Sequence, residues 1–284
     1  MAKKQTKAVA TRKTTAVSTS GGNPPAYLAK TKMVGATASS DVSDNLIPMV
    51  AVLQKNSPQV EKRGASYVKG SEPGDIYIKN LPNPVVKGEE GFIFQPCYFE
   101  KGTVEWLPRN KGGGGGGGFI AMYKDKMPGE IAGSKQAPHP EDSSKKIWLS
   151  KDGNLLVETR YYGGFIIEEE GPMPAVIPFA SSGHTVAKNW NMLMRRKTYE
   201  GQPVDMCVIY YRFTTLLREK GPNSWYILQI TDAGDEEDGV PTTMWAPTKE
   251  DVERGQALAT AMQSGAREFN RAETAAAEGD PDKM

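Results

Sequence analysis

The sequence is poor in the residues that build metal centres and redox sites. It has two cysteines, Cys97 and Cys207, and two histidines, His139 and His184. These are too isolated to offer a close-spaced zinc ligand set. They allow at most one disulfide, and such sparse cysteine usage fits a reducing compartment. No apolar run approaches the roughly 20 residues a membrane helix needs. The N-terminal residues are polar and lack the apolar core of a signal peptide, so no membrane contact is expected. Catalytic signatures are missing as well: there is no Gly-x-Ser-x-Gly elbow, no His-Glu-x-x-His, no Cys-x-x-Cys and no phosphate-loop lysine. These absences point away from an enzyme and from any cofactor. Glu168-Glu169-Glu170 and Asp235-Glu236-Glu237-Asp238 are acidic runs, but without the spacing of a calcium loop they read as solvated charge.

What is present is an ordinary globular composition with polar ends. Hydrophobic residues make up 38% and charged residues 24%, enough for a buried core in a chain of this length. The net charge of +1 hides a polarity: residues 1–40 carry seven Lys and Arg and no acid, whereas residues 232–284 carry thirteen Asp and Glu against five Lys and Arg. Residues 1–43, rich in Lys, Thr, Ala, Ser and Gly, cannot bury enough apolar area to offset ordering entropy and read as a disordered basic arm. Residues 44–231 read as one β-rich domain, and residues 232–284 as an acidic loop, an amphipathic helix and a tail.

Within the domain, short apolar segments at Leu46–Leu53 and Ile76–Ile78 are punctuated by Ser57-Pro58 and Pro73-Gly74-Asp75. Phe92–Phe99 and Thr103–Leu107 suggest a hairpin turning at Glu100-Lys101-Gly102, with Pro96 forcing an edge or a bulge. Seven glycines, Gly112 to Gly118, follow. The run lacks the strand-to-helix context of a phosphate-binding loop and reads as a flexible connection. Leu155–Glu168 has strand chemistry interrupted at Gly163-Gly164, and Ala175–Phe179 is a further short strand. Ser181-Ser182 can cap a helix over about His184–Arg196. Val204–Arg218 and Trp225–Thr231 form the clearest hairpin, turning at Glu219–Asn223. Thr248 with Asp251 resembles a capping box that opens a last helix, on which Val252, Leu258, Met262 and Phe269 fall near helical spacing. Many short strands and few helices predict a mostly β fold, with an OB-like β-barrel core and one or two helices.

Aromatic and basic residues interleave on two strands. Side chains alternate along a strand, so Arg160 and Tyr162 share one face of Leu155–Glu168, opposite Leu155, Val157, Thr159 and Tyr161. Likewise Tyr210 and Arg212 share a face, opposite Cys207, Ile209, Tyr211 and Phe213. Two Tyr–Arg faces suggest a platform on which unpaired bases stack, for roughly 1–3 kcal/mol each, with arginines on the phosphates. Trp106, Arg109 and Lys111 beside the glycine run extend this candidate groove, as do Lys188, Trp190, Arg195 and Arg196 on the predicted helix. The competing reading makes the same aromatics half-buried core residues.

Ile47-Pro48-Met49-Val50-Ala51-Val52-Leu53-Gln54-Lys55-Asn56-Ser57-Pro58-Gln59-Val60 resembles the opening segment of a group of phage-encoded single-stranded DNA-binding proteins. Pro73-Gly74-Asp75-Ile76, Val104-Glu105-Trp106-Leu107-Pro108-Arg109 and Val186-Ala187-Lys188-Asn189-Trp190 continue the likeness, which spans about residues 45–230. The resemblance implies an OB-type domain that coats and protects single-stranded DNA in the host cytoplasm during phage replication or recombination. It also implies an acidic C-terminal segment that contacts replication proteins. Self-association is a further candidate contact. The alternative reading is a phage virion structural or assembly protein. A third is a metal-dependent nuclease using Glu168–Glu170 or Asp232–Asp238.

Overall fold

The computed structural model describes residues 47–79, 81, 84–108, 118–139, 145–169, 171–237, 240–265 and 269. The basic arm, the glycine run up to Gly117 and the C-terminal tail lie outside the described residues. The fold is mostly β. Three short strands, β1 (Val50–Val52), β2 (Ile76–Ile78) and β3 (Val85–Val86), pair antiparallel in that order. The main sheet begins with the long strand β4 (Phe92–Trp106), followed by β5 (Phe119–Lys124), β6 (Lys135–Pro138), β7 (Lys146–Leu149), β8 (Leu155–Glu168) and β9 (Gly171–Ala180). Helix α1 (Gly183–Arg195) and the small hairpin β10 (Thr198–Tyr199) and β11 (Gln202–Pro203) lead to β12 (Ile209–Lys220) and β13 (Asn223–Asp232). A second small hairpin, β14 (Glu236–Glu237) and β15 (Val240–Pro241), then β16 (Met244–Trp245) and helix α2 (Lys249–Gln263), complete the described strands and α-helices.

The main sheet has nine strands among the described residues. Its path runs β13-β12-β4-β8-β7-β6, with β5 also paired to β4, β9 to β8 and β16 to β12. Among the described residues no pairing joins β13 to β6. The mostly β class expected from the sequence holds, but among the described residues the sheet does not close into a barrel, so the expected OB-like β-barrel core is not seen. Closure requires strand tilt and stagger that bring the two edges into register, and here the path ends on the short strands β6 and β7 at one side and the β12–β13 hairpin at the other.

The predicted hairpin at Glu100–Gly102 is instead the middle of β4, which pairs with β8 from Ile93↔Ile167 to Trp106↔Leu155. Gly102 is there for close approach, not for a turn: a Cβ on it would lie 2.7 Å from the Tyr123 carbonyl oxygen of β5. Gly163 and Gly164 likewise do not interrupt β8. A Cβ at Gly163 would meet Met262 Sδ at 2.5 Å, and one at Gly164 the Gln95 carbonyl oxygen at 2.1 Å.

Pro96 does produce a bulge, with the register shifting between Pro96 and Tyr98. Proline has no N–H for the ladder, and the extra residue inverts the alternation of β4. Phe92 and Phe94 therefore enter one core, while Tyr98, Val104 and Trp106 enter a second. One sequence parity thus serves both faces of the sheet.

The first core gathers Phe92, Phe94, Tyr162, Ile166, Phe179, Tyr211 and Phe213 under Trp190 of α1, with Val50, Ile76 and Ile78 of the small sheet. The second packs Tyr98, Val104, Trp106, Leu155, Tyr161 and Phe165 against Leu258 and Met262 of α2 and against Phe269. Helix α2 starts with the predicted capping box: the Asp251 amide donates to Thr248 Oγ1 at 3.2 Å and the Thr248 amide donates to Asp251 Oδ2 at 3.1 Å. Its closest approach is at Gly255, where a Cβ would lie 2.8 Å from Cys207 Cβ and 3.1 Å from Cys97 Sγ. Both thiols are free and buried. Burial pushes them up, Cys207 to about 12, so they stay protonated.

Candidate nucleic-acid interface

The aromatics predicted to stack on bases are core residues. Tyr162 is 0% exposed, Trp190 1%, Tyr210 2% and Trp106 6%. A base stacks only on a ring whose face reaches solvent, so these four do not form a surface platform. Tyr162 donates its hydroxyl to Asn191 Oδ1 of α1 at 2.9 Å. Burial raises the phenol of Tyr210, to about 12.

The two predicted Tyr–Arg faces also fail to come together. Arg212 lies opposite Ile93 on β4, and Ile93 lies opposite Ile167 on β8. Cross-strand partners share a face, so Arg212 is on the face of Ile167, whereas Arg160 and Tyr162 alternate to the other side. Arg160 is further occupied by Glu158, with Nη2 to Oε1 at 2.7 Å and both side chains largely covered. His184, at the start of α1, fixes this corner: its Nε2 lies 2.8 Å from the Glu158 carbonyl oxygen, and burial keeps the imidazole below its usual range.

Lys188, Arg195 and Arg196 are exposed along and just after α1. Arg109 and Lys111 lie outside the described residues. Among the described residues no three His, Cys, Asp or Glu side chains group to hold a metal ion. Glu170 and Asp238 of the acidic runs lie outside the described residues.

The sheet nevertheless has one open face. Along β12, Arg212, Thr214, Leu216, Arg218 and Lys220 point to one side. Their cross-strand partners on β13 are Thr231, Gln229, Ile227, Trp225 and Asn223. None of these ten residues carries a carboxylate. Arg212, Arg218 and Lys220 are exposed, and Trp225, Leu216 and Ile227 are half-buried. Among the described residues no ion pair engages the three cations. Leu216, Trp225 and Ile227 belong to neither core, and the indole nitrogen of half-buried Trp225 is itself buried, with no hydrogen-bond partner among the described residues.

The opposite face of the same hairpin is covered. Tyr211, Phe213 and Leu228 point into the first core. Thr215 Oγ1 donates to the Gly74 carbonyl at 2.7 Å. At the sheet edge, Gln54 accepts the Tyr226 N–H at 2.9 Å and donates Nε2 to the Tyr226 carbonyl at 2.8 Å, as a paired strand would. On the open side, α2 lies over Gln95 and Phe165, with Gln95 Nε2 donating to the Asp251 carbonyl at 3.1 Å and the Arg254 guanidinium 5.5 Å from the Phe165 ring centroid. Of the β12 residues on this side, Tyr210 is buried and Arg212 is exposed.

Sequence reasoning placed Arg212 correctly on a face of β12 but missed Arg218, Lys220 and Trp225. The signal was present: pairing Lys220 with Asn223 across Gly221-Pro222 sets Arg218 opposite Trp225.

A family model described as Pam3 phage gp34-like protein matches residues 16–268. No curated protein and no solved structure matches the chain. Among the described residues no helix is long and apolar enough to cross a membrane. The match spans most of the sequence, including every segment that resembled phage proteins, and the chain belongs to the Pam3 phage gp34-like family.

Proposed function

We propose that this protein binds single-stranded DNA in the host cytoplasm, coating and protecting it during phage replication or recombination without acting on it chemically. The observation that carries the reading is the open face of the β12–β13 hairpin, where Arg212 at one end and Arg218 and Lys220 at the other border Leu216, Ile227 and Trp225 and no carboxylate intervenes. The spacing suits a flexible polyanion. Arg212 and Lys220 are eight positions apart on one strand, about 26 Å of backbone, so the cations span several phosphates. Trp225 offers a partly apolar surface between them, on which a base can stack. An apolar strip with cations at both ends favours unpaired bases over duplex, whose bases are already stacked on each other. The reading needs a sheet face of the kind an OB-like domain presents, not a closed barrel. The basic residues 1–40 add sequence-independent attraction to phosphate.

The test is a fluorescence-anisotropy titration of a labelled single-stranded oligonucleotide at several salt concentrations, with duplex as competitor. Binding that prefers the single strand and weakens linearly in log salt is the expected result. No binding at low salt removes the reading and leaves a virion structural or assembly role as the better account.

A further inference from the structure

Two large aromatic side chains remain on the surface in contact with each other, away from the hairpin face. Tyr199 is 64% exposed and Trp245 42%. Their rings meet edge to face, with centroids 6.3 Å apart and planes at 74°. Tyr199 stands at a tight turn in which Glu200 and Gly201 both have positive φ, 50° and 76°. Trp245 lies opposite Ile209 on β16. Both elements are held in place, so the exposure is a property of the folded surface. An exposed Tyr–Trp pair beside arginines has the composition of a protein-interface anchor.

The charges around the pair identify the partner. Arg195 and Arg196, at the C-terminal end of α1 and shortly before Tyr199 in the chain, are exposed. Asp235, Glu236 and Glu237, in the β14–β15 hairpin that leads to Trp245, are exposed as well. Lys197 ties the two segments together: its Nζ lies 2.7 Å from Asp232 Oδ2 before that hairpin and 2.6 Å from Thr243 Oγ1 after it. Among the described residues no ion pair engages Arg195, Arg196, Asp235, Glu236 or Glu237. The surface therefore combines an exposed aromatic pair with exposed cations and exposed acids in the segments that carry it. Nucleic acid suits it poorly, because the acids repel phosphate. A surface carrying both signs is complementary to itself under a two-fold rotation, which sets the arginines of one copy against the acids of the other.

We infer that the surface formed by Tyr199 and Trp245, with Arg195–Arg196 and Asp235–Glu237 in the segments that lead to them, is a self-association site that pairs two copies of this chain. The contact is independent of the hairpin face and leaves that face free in both copies.

Sedimentation velocity of the full-length protein over a concentration series tests this, with circular dichroism to verify folding. The unmodified protein is expected to dimerise reversibly. Arg195→Glu with Arg196→Glu, or Glu236→Lys with Glu237→Lys, weakens the dimer by about tenfold or more, because like charges then face each other. An equal mixture of the two variants restores association, and so does one chain carrying all four substitutions. Trp245→Ala weakens the dimer without a charge change. A protein that is monomeric at every concentration, a dimer indifferent to both charge reversals, or reversals that are not rescued by mixing would each overturn the inference.

Discussion

Replacing Trp190 by alanine is expected to lower the unfolding free energy by about 3–5 kcal/mol, the range for truncating a large aromatic in a packed core. Trp190 is 1% exposed and stands where α1 meets the sheet. Its ring centroid lies 4.5 Å from that of Tyr162, 5.1 Å from Phe213, 5.6 Å from Tyr211, 6.3 Å from Phe179 and 6.4 Å from Phe94. The neighbours come from β4, β8, β9 and β12, each held by its own ladder, so they cannot collapse into the space left behind. The indole N–H has no hydrogen-bond partner among the described residues, so the cost is one of packing. Urea unfolding followed by circular dichroism measures it, as a lower midpoint at unchanged slope. A change below about 1 kcal/mol would mean that the ring is not part of the core. Under conditions where Trp190→Ala remains folded, its affinity for single-stranded DNA should equal that of the unmodified protein, which separates a packing residue from a base-stacking one.

Substituting Arg212, Arg218 and Lys220 together by glutamine is expected to act in the opposite way, leaving stability nearly unchanged and removing most of the DNA affinity. All three side chains are exposed and form no ion pair among the described residues, and surface substitutions of this kind usually move stability by about 0.5 kcal/mol or less. For a single strand, removing one cation from its phosphate should lower the slope of log affinity against log salt by about 0.7, and removing all three by about 2. The affinity at low salt falls by about a hundredfold or more, since charge-assisted hydrogen bonds to phosphate are the stronger kind. Trp225→Ala should weaken binding by a further 1–3 kcal/mol or so, with little change in the salt slope, because stacking releases no counterions. An unchanged slope in the triple variant would place the phosphate-binding cations elsewhere.

The parts of this fold legible in the sequence are those encoded by neighbours in the chain. The capping box at Thr248 and Asp251 announces α2, Gly221-Pro222 between two alternating segments announces the β12–β13 hairpin, and Pro96 announces a bulge. Alternation also assigned Arg160 with Tyr162, and Tyr210 with Arg212, to common faces correctly. It could not say which faces are covered, because cover comes from distant segments: α1 and the small sheet on one side, α2 on the other. Glycine misled in a related way. Gly102, Gly163 and Gly164 look like interruptions along the chain, yet each allows another strand or helix to approach closely in space. The bulge at Pro96 hid the rest, since it sends Phe94 and Tyr98 to different cores although both sit at even positions of one strand.

The most direct test of the central claim is photocrosslinking to a single-stranded oligonucleotide carrying 5-iodouracil, followed by mass-spectrometric mapping of the modified peptides. The account expects adducts at Trp225 or its neighbours on β13, abolished by excess unlabelled single strand and by substituting Arg212, Arg218 and Lys220. Adducts confined to other surfaces, with the peptide containing Trp225 recovered unmodified, would contradict it.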